Sequence, residues 1–272
     1  MNAYIYTIIF IMGTLFGSFY TLAVYRIPKK LDITHTHSFC PNCNHKLGFL
    51  ELIPVLSYII LRGKCKKCGK KIRIRYFLLE ILSGLTFLGL AIALKIDIYN
   101  ISVETLINFA FWSLYLVAIF LIAGIDKENK IIEKTVLYYA ITISTMYITY
   151  LCIIGSSSIY RYAMYLIALI ILLMIDNINL RNNAKDSYIL SLLMLLVVIT
   201  IFTGVFVTII SCIMTLIIIL SNILAKNLKN ELNKSKKQKI SISNNLHLGF
   251  YLGISNVICF IVVMFINNFI KL

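Results

Sequence analysis

Residues 187–225 read SYILSLLMLLVVITIFTGVFVTIISCIMTLIIILSNILA, thirty-nine positions without a charged side chain. About 20 apolar residues in a helix cross the ~30 Å hydrocarbon core of a bilayer. The run is therefore too long for one span. Gly204, near its middle, is the expected turn, which gives spans near 187–203 and 205–225. Outward from this stretch, further apolar runs lie near 3–25, 76–95, 104–125, 134–154, 158–178 and 247–269. The chain is 60% hydrophobic and only 14% charged, with a mean hydropathy of +0.89. Soluble domains carry about a quarter charged residues. The expected fold is an all-α integral membrane protein with about eight transmembrane helices.

Charge placement sets the expected topology. With the N-terminus outside, the inner loops are 26–75, 126–134, 179–186 and 226–246, and they hold 23 of the 26 Lys and Arg residues. Only Lys95, Arg161 and Lys271 fall elsewhere. Such an excess marks cytoplasmic loops. The same placement argues against nucleic acid as a partner, because no long basic helix with interleaved aromatics occurs. The lysine-rich segment 226–240 reads as a solvated loop beside anionic headgroups. The first span lacks a basic region before its apolar stretch and has basic residues after it, so it reads as a permanent anchor rather than a cleaved signal. The expected division is an anchor helix (1–25), a cytoplasmic loop (26–75) and a polytopic membrane domain (76–272).

Loop 26–75 carries C-P-N-C (Cys40, Cys43) and, after 21 intervening residues, C-K-K-C-G (Cys65, Cys68). Each C-x-x-C turn puts two sulfurs on one side, and two such turns supply the four ligands of a tetrahedral zinc. Lysines 64, 66, 67, 70 and 71 favour thiolates and offset the negative charge of such a centre. A reducing cytoplasm disfavours the disulfide alternative. A closed four-cysteine site is structural rather than catalytic. His35, His37 and His45 lie close by as replacement ligands or as plain loop residues. Cys152, Cys212 and Cys259 sit in apolar runs and read as small hydrophobes.

Acids at membrane depth are costly and mark functional sites. Asp126 ends the third span in L-I-A-G-I-D, and Asp186 begins the sixth in N-A-K-D-S-Y. Two facing aspartates can share a proton, one activating water while the other polarises a carbonyl. Asp186 also suits an ordinary helix cap. Asp176, deeper in its apolar stretch, is an alternative partner for Asp126. The chain has no H-E-x-x-H, G-x-S-x-G, Walker A or G-x-G-x-x-G pattern.

From Gly13 onward, G-T-L-F-G-S-F-Y-T-L-A-V-Y-R-I-P, then C-P-N-C, then L-I-P-V-L-S-Y-I-I-L-R-G-K-C-K-K-C, then I-R-I-R-Y-F-L-L-E-I-L-S-G resembles the opening signature of the type IV prepilin peptidases. I-D-K-E-N-K-I-I-E resembles the family's first catalytic aspartate motif. N-A-K-D stands at the place of its second, and H-L-G-F-Y-L-G resembles its C-terminal segment. The resemblance implies a membrane aspartic peptidase of the bacterial inner membrane, with Asp126 and Asp186 as the catalytic pair. It would cut the leader from type IV prepilins or pseudopilins at the cytoplasmic face, in pilus assembly or protein secretion. It also implies methylation of the new N-terminal amine by S-adenosylmethionine, although no nucleotide-binding loop is recognisable. Glu51, Glu80 and Glu133 are candidates to meet a basic leader. The family's glycines before the second aspartate are replaced by Asn183 and Lys185, and its Pro and Asp after the first motif by Ile132 and Glu133. These departures leave a second reading open: a divergent, catalytically weak or inactive paralogue that serves as a membrane scaffold in pilus or secretion-system assembly.

Overall fold

A computed structural model of the chain describes residues 2–33, 37–97, 102–155, 159–182, 187–232 and 247–270. The described residues form α1 (Asn2–Arg26), a one-turn 3-10 helix (Phe49–Glu51), α2 (Leu56–Ile60), α3 (Ile74–Ala93), α4 (Val103–Asn129), α5 (Lys134–Ile153), α6 (Ile159–Arg181), α7 (Tyr188–Leu232) and α8 (Leu248–Ile270). Seven of these are long and apolar enough to cross a membrane. The spans are rich in Ile and Val, which favour strands in water. In lipid the backbone must satisfy itself, and a helix does so within one segment. Hydroxyls in α7 do the same: Thr203, Thr208, Ser211 and Thr215 each donate to the carbonyl four residues back.

Seven such helices stand where the sequence suggests eight spans, because residues 187–225 lie within one element. That element is broken at Gly204, whose φ of 80° and ψ of 164° are not helical. Asn256 Nδ2 donates to both Thr203 Oγ1 and Ser211 Oγ, at 3.3 Å each. Eight residues of straight helix rise about 12 Å, beyond the reach of one nitrogen, so the axis bends sharply here. The positive φ is open to glycine and strained for any L side chain. The apolar part of α7, Tyr188–Ala225, runs 38 residues, about 57 Å if straight, which is length enough for two crossings.

The chain forms two compact units, Met1–Ser113 with Asn268–Leu272, and Leu114–Asn267. In the first, α1 and α3 pack at glycine contacts. A Cβ on Gly13 would lie 2.9 Å from the Gly84 Cα, and one on Gly17 only 2.7 Å from the Glu80 Cα. The i, i+4 pair Gly13 and Gly17 thus lets two backbones approach, as small residues do in membrane bundles. Gly17→Ala meets backbone that cannot swing aside. It is expected to destabilise the α1–α3 pair by about 1–3 kcal/mol, seen as a lower unfolding midpoint in detergent. Ile11→Ala, at an exposed position on the same helix, should leave the midpoint nearly unchanged.

In the second unit, Phe202 stacks on Tyr115 (centroids 4.5 Å) and on Tyr147 (4.8 Å). The Tyr115 hydroxyl donates to Asn256 Oδ1 at 2.5 Å. Asn256 therefore joins α4, α8 and both legs of α7, and its buried amide is fully engaged, as a polar group in hydrocarbon requires.

Candidate active site and metal centre

The two cysteine turns are built alike. Cys40 N–H donates to His45 O and Asn44 N–H to Cys40 O; Cys65 N–H donates to Lys70 O and Gly69 N–H to Cys65 O, all at 2.9 Å. Isolated antiparallel bridges Phe39–Lys46 and Lys64–Lys71 close the two hairpins in the same register. Asn44 and Gly69 take the matching left-handed position. The loop is anchored at its start by Arg26, which is buried and donates to the carbonyls of Asp32 (3.0 Å) and His37 (3.5 Å).

The four sulfurs lie within 4.8 Å of one another, with Cys40–Cys68 at 3.9 Å and Cys43–Cys65 at 4.0 Å. A tetrahedron with Zn–S bonds of about 2.3 Å has edges of about 3.8 Å, so the cluster fits zinc. All four are free thiols. The Lys70 N–H brings Cys68 down to about 6. The backbone N–H groups of Asn42 and Cys43 lower Cys40. Cys43 receives the His45 N–H, yet burial and the crowding sulfurs push it up to about 11. Four thiolates this close repel one another, and a central dication is what allows them all to ionise. His45 is not among the cluster's ligands. Its Nε2 meets Glu51 Oε2 at 3.1 Å, and the same oxygen accepts the Gly48 N–H at 2.8 Å. His37 is exposed, and His35 lies outside the described residues.

Asp126 is fully buried near the end of α4. The Tyr188 hydroxyl donates to its Oδ1 at 3.0 Å, and the Phe250 N–H donates to its Oδ2 at 2.9 Å. The Gly249 N–H donates to the Tyr188 hydroxyl oxygen at 3.0 Å. His247 Nδ1 donates to the Asp126 carbonyl at 2.8 Å. The acid therefore caps the N-terminus of α8, where free N–H groups and the helix dipole favour negative charge. A Cβ on Gly249 would sit 3.3 Å from Asp126 Oδ2, so a side chain there would crowd the carboxylate.

Asp176, the alternative partner, is also buried. It takes Lys134 Nζ on Oδ1 at 3.1 Å and the Tyr138 hydroxyl on Oδ2 at 3.0 Å, tying α6 to α5. Asp186, with Asn183 and Lys185, lies outside the described residues. The cap of α7 is made by the next residue: the Leu190 N–H donates to Ser187 Oγ at 3.3 Å. Glu80 Oε2 accepts the Val55 N–H at 2.8 Å. Glu51 and Glu80 thus have partners within the chain. The residues that reasoning from sequence missed are Tyr188, His247, Gly249 and Phe250. They act largely through backbone N–H groups and a hydroxyl, which no spacing pattern announces.

Residues 11–94 match the family model described as the Bacterial Peptidase A24 N-terminal domain. Among curated proteins, the chain is similar to the prepilin leader peptidase/N-methyltransferase of Vibrio cholerae, 30% identical over 154 residues covering 53% of this chain and 57% of the relative. The Bacillus subtilis protein of the same name is 35% identical over 133 residues, 49% of this chain and 50% of the relative. The Myxococcus xanthus one is 42% identical over 79 residues, 29% of this chain and 24% of the relative. The chain thus spans about half the length, or less, of the curated relatives it matches. No solved structure matches. Both cysteine turns and the helix pair α1 and α3 thus fall in or overlap the stretch, residues 11–94, that is similar to the Bacterial Peptidase A24 N-terminal domain.

Proposed function

We propose that this protein is a membrane aspartic endopeptidase that removes the leader of type IV prepilins or pseudopilins, with Asp126 and Asp186 as its acid–base pair at the cytoplasmic face of the bacterial inner membrane. The observation that carries the reading is the hold on Asp126. A carboxylate at the end of an apolar helix is gripped by Tyr188, a residue only two positions after Asp186 in the chain. In the proposed reaction one aspartate takes a proton from water as the water attacks the scissile carbonyl. The other, protonated, donates a hydrogen bond to the developing oxyanion. Four-cysteine zinc would brace the loop between α1 and α3 and take no part in the proton transfers. Methylation of the new N-terminus by S-adenosylmethionine is the second half of the proposal. It rests on the activity named for the relatives, and the described residues assign no seat to the methyl donor.

The test is cleavage of a panel of prepilins co-expressed with the chain in membranes, read as loss of the leader on a gel. Failure to cut any of them would favour the scaffold reading, to which the substituted glycines at Asn183 and Lys185 point. Tyr188→Phe supplies a finer test. It removes the donor to Asp126 Oδ1 and the acceptor for Gly249 while keeping the ring. A hydrogen bond to a charged group contributes about 1.5–3 kcal/mol, so kcat should fall about ten- to a hundredfold with KM little changed.

A further inference from the structure

We infer that residues 49–60 of the cysteine loop form an interfacial segment that inserts its apolar side chains into the bilayer. The inference is independent of the peptidase reading. The 3-10 turn and α2 expose Phe49 (82%), Leu50 (75%) and Ile60 (73%), with Leu52, Leu56 and Ile59 also exposed. So many large apolar side chains in twelve residues do not face water in a stable protein.

The occupant follows from where the segment is pinned. Glu80, which accepts the Val55 N–H, lies six residues inside α3, about 9 Å along a helix long and apolar enough to cross the membrane. Tyr58 stacks on Phe77 of the same helix, with centroids 4.9 Å apart. The segment is therefore held at the level of Ile74, Leu78 and Leu82, large apolar side chains that the span leaves exposed. Val55 has φ 64° and ψ −54°, and the Leu56 N–H reaches the Pro54 carbonyl at 2.6 Å. This tight turn is rare and costly for a β-branched residue. Such strain persists only where its surroundings over-determine it, and the Glu80 bond is that constraint.

Charge agrees with the placement. Arg62, Lys64, Lys66, Lys67, Lys70, Lys71, Arg73 and Arg75 are all exposed, and no acid occurs between Glu51 and Glu80. Apolar side chains beneath a basic collar are the pattern of a segment lying in an anionic headgroup region.

The test uses the full chain in vesicles of phosphatidylglycerol and phosphatidylcholine, with Phe49→Trp, Ile60→Trp and Lys67→Trp made singly. Each is read as the increment over the emission of Trp112, the sole native tryptophan. Zinc content per chain verifies that the loop is folded. The Phe49→Trp and Ile60→Trp increments should be lost when the acyl chains carry bromine and should resist aqueous acrylamide, while the Lys67→Trp increment does the reverse. Quenching of the first two by acrylamide and not by brominated lipid would place the segment in water and overturn the inference. Shielding from both quenchers, as under a second copy of the chain, would overturn it equally.

Discussion

Asp126→Asn and Asp186→Asn should each abolish leader cleavage, lowering kcat/KM by about a thousandfold or more, as expected when a general acid or base is removed. Asp126→Asn keeps the size of the side chain and loses its charge. It also turns an amide NH2 toward either the Phe250 N–H or the Tyr188 hydroxyl, both of which donate to the native carboxylate. An unmatched donor pair costs stability as well as activity, so unfolding midpoint and zinc content should be measured beside cleavage. Asp176→Asn is the informative companion. It breaks the ion pair with Lys134 and weakens the bond from Tyr138, so it should lower stability while leaving kcat/KM near that of the parent. Retained cleavage in Asp186→Asn, with loss in a folded Asp176→Asn, would move the second aspartate from Asp186 to Asp176 in α6. Loss in both Asp126→Asn and Asp186→Asn would establish the pair despite Asn183 and Lys185.

Metal content is the second large effect. The purified chain should hold one zinc, and Cys40→Ser or Cys65→Ser should each release it. Structural zinc contributes about 10–16 kcal/mol of apparent binding free energy in small zinc peptides at neutral pH, and that energy is coupled to folding of the surrounding loop. Without it the two hairpins lose the centre that holds them together. Residues 38–72 should then become sensitive to protease, while the helical content of the spans persists. Cobalt substitution offers an independent reading, because a tetrahedral four-sulfur site gives an intense visible spectrum and a three-sulfur site a weaker, shifted one. Full zinc retention in both single variants would show that the metal is held elsewhere.

The two cysteine turns were legible because a C-x-x-C hairpin is a local object, and two of them in one loop leave a metal as the simplest shared partner. The membrane-spanning helices were legible for a similar reason. Span length is set by bilayer thickness, and apolar content is a property of each segment alone. Gly204 was readable as an interruption, since the apolar run was too long without one. That the break is a sharp bend is shown by Asn256, fifty-two positions later, bonding to both legs of α7. Asp126 stood out as an acid at membrane depth, but its setting did not. Tyr188 and Phe250 lie 62 and 124 residues away, and they meet the carboxylate only because α4, the start of α7 and the start of α8 converge. The same holds for Asp176, whose partners Lys134 and Tyr138 come from the preceding helix, and for Glu80, whose role is to hold a backbone N–H 25 residues earlier. The sequence by itself determined what the bilayer and a metal select segment by segment. The tertiary structure decided which donor each buried carboxylate finds, because backbone N–H groups and hydroxyls are present in every helix and only packing singles one out.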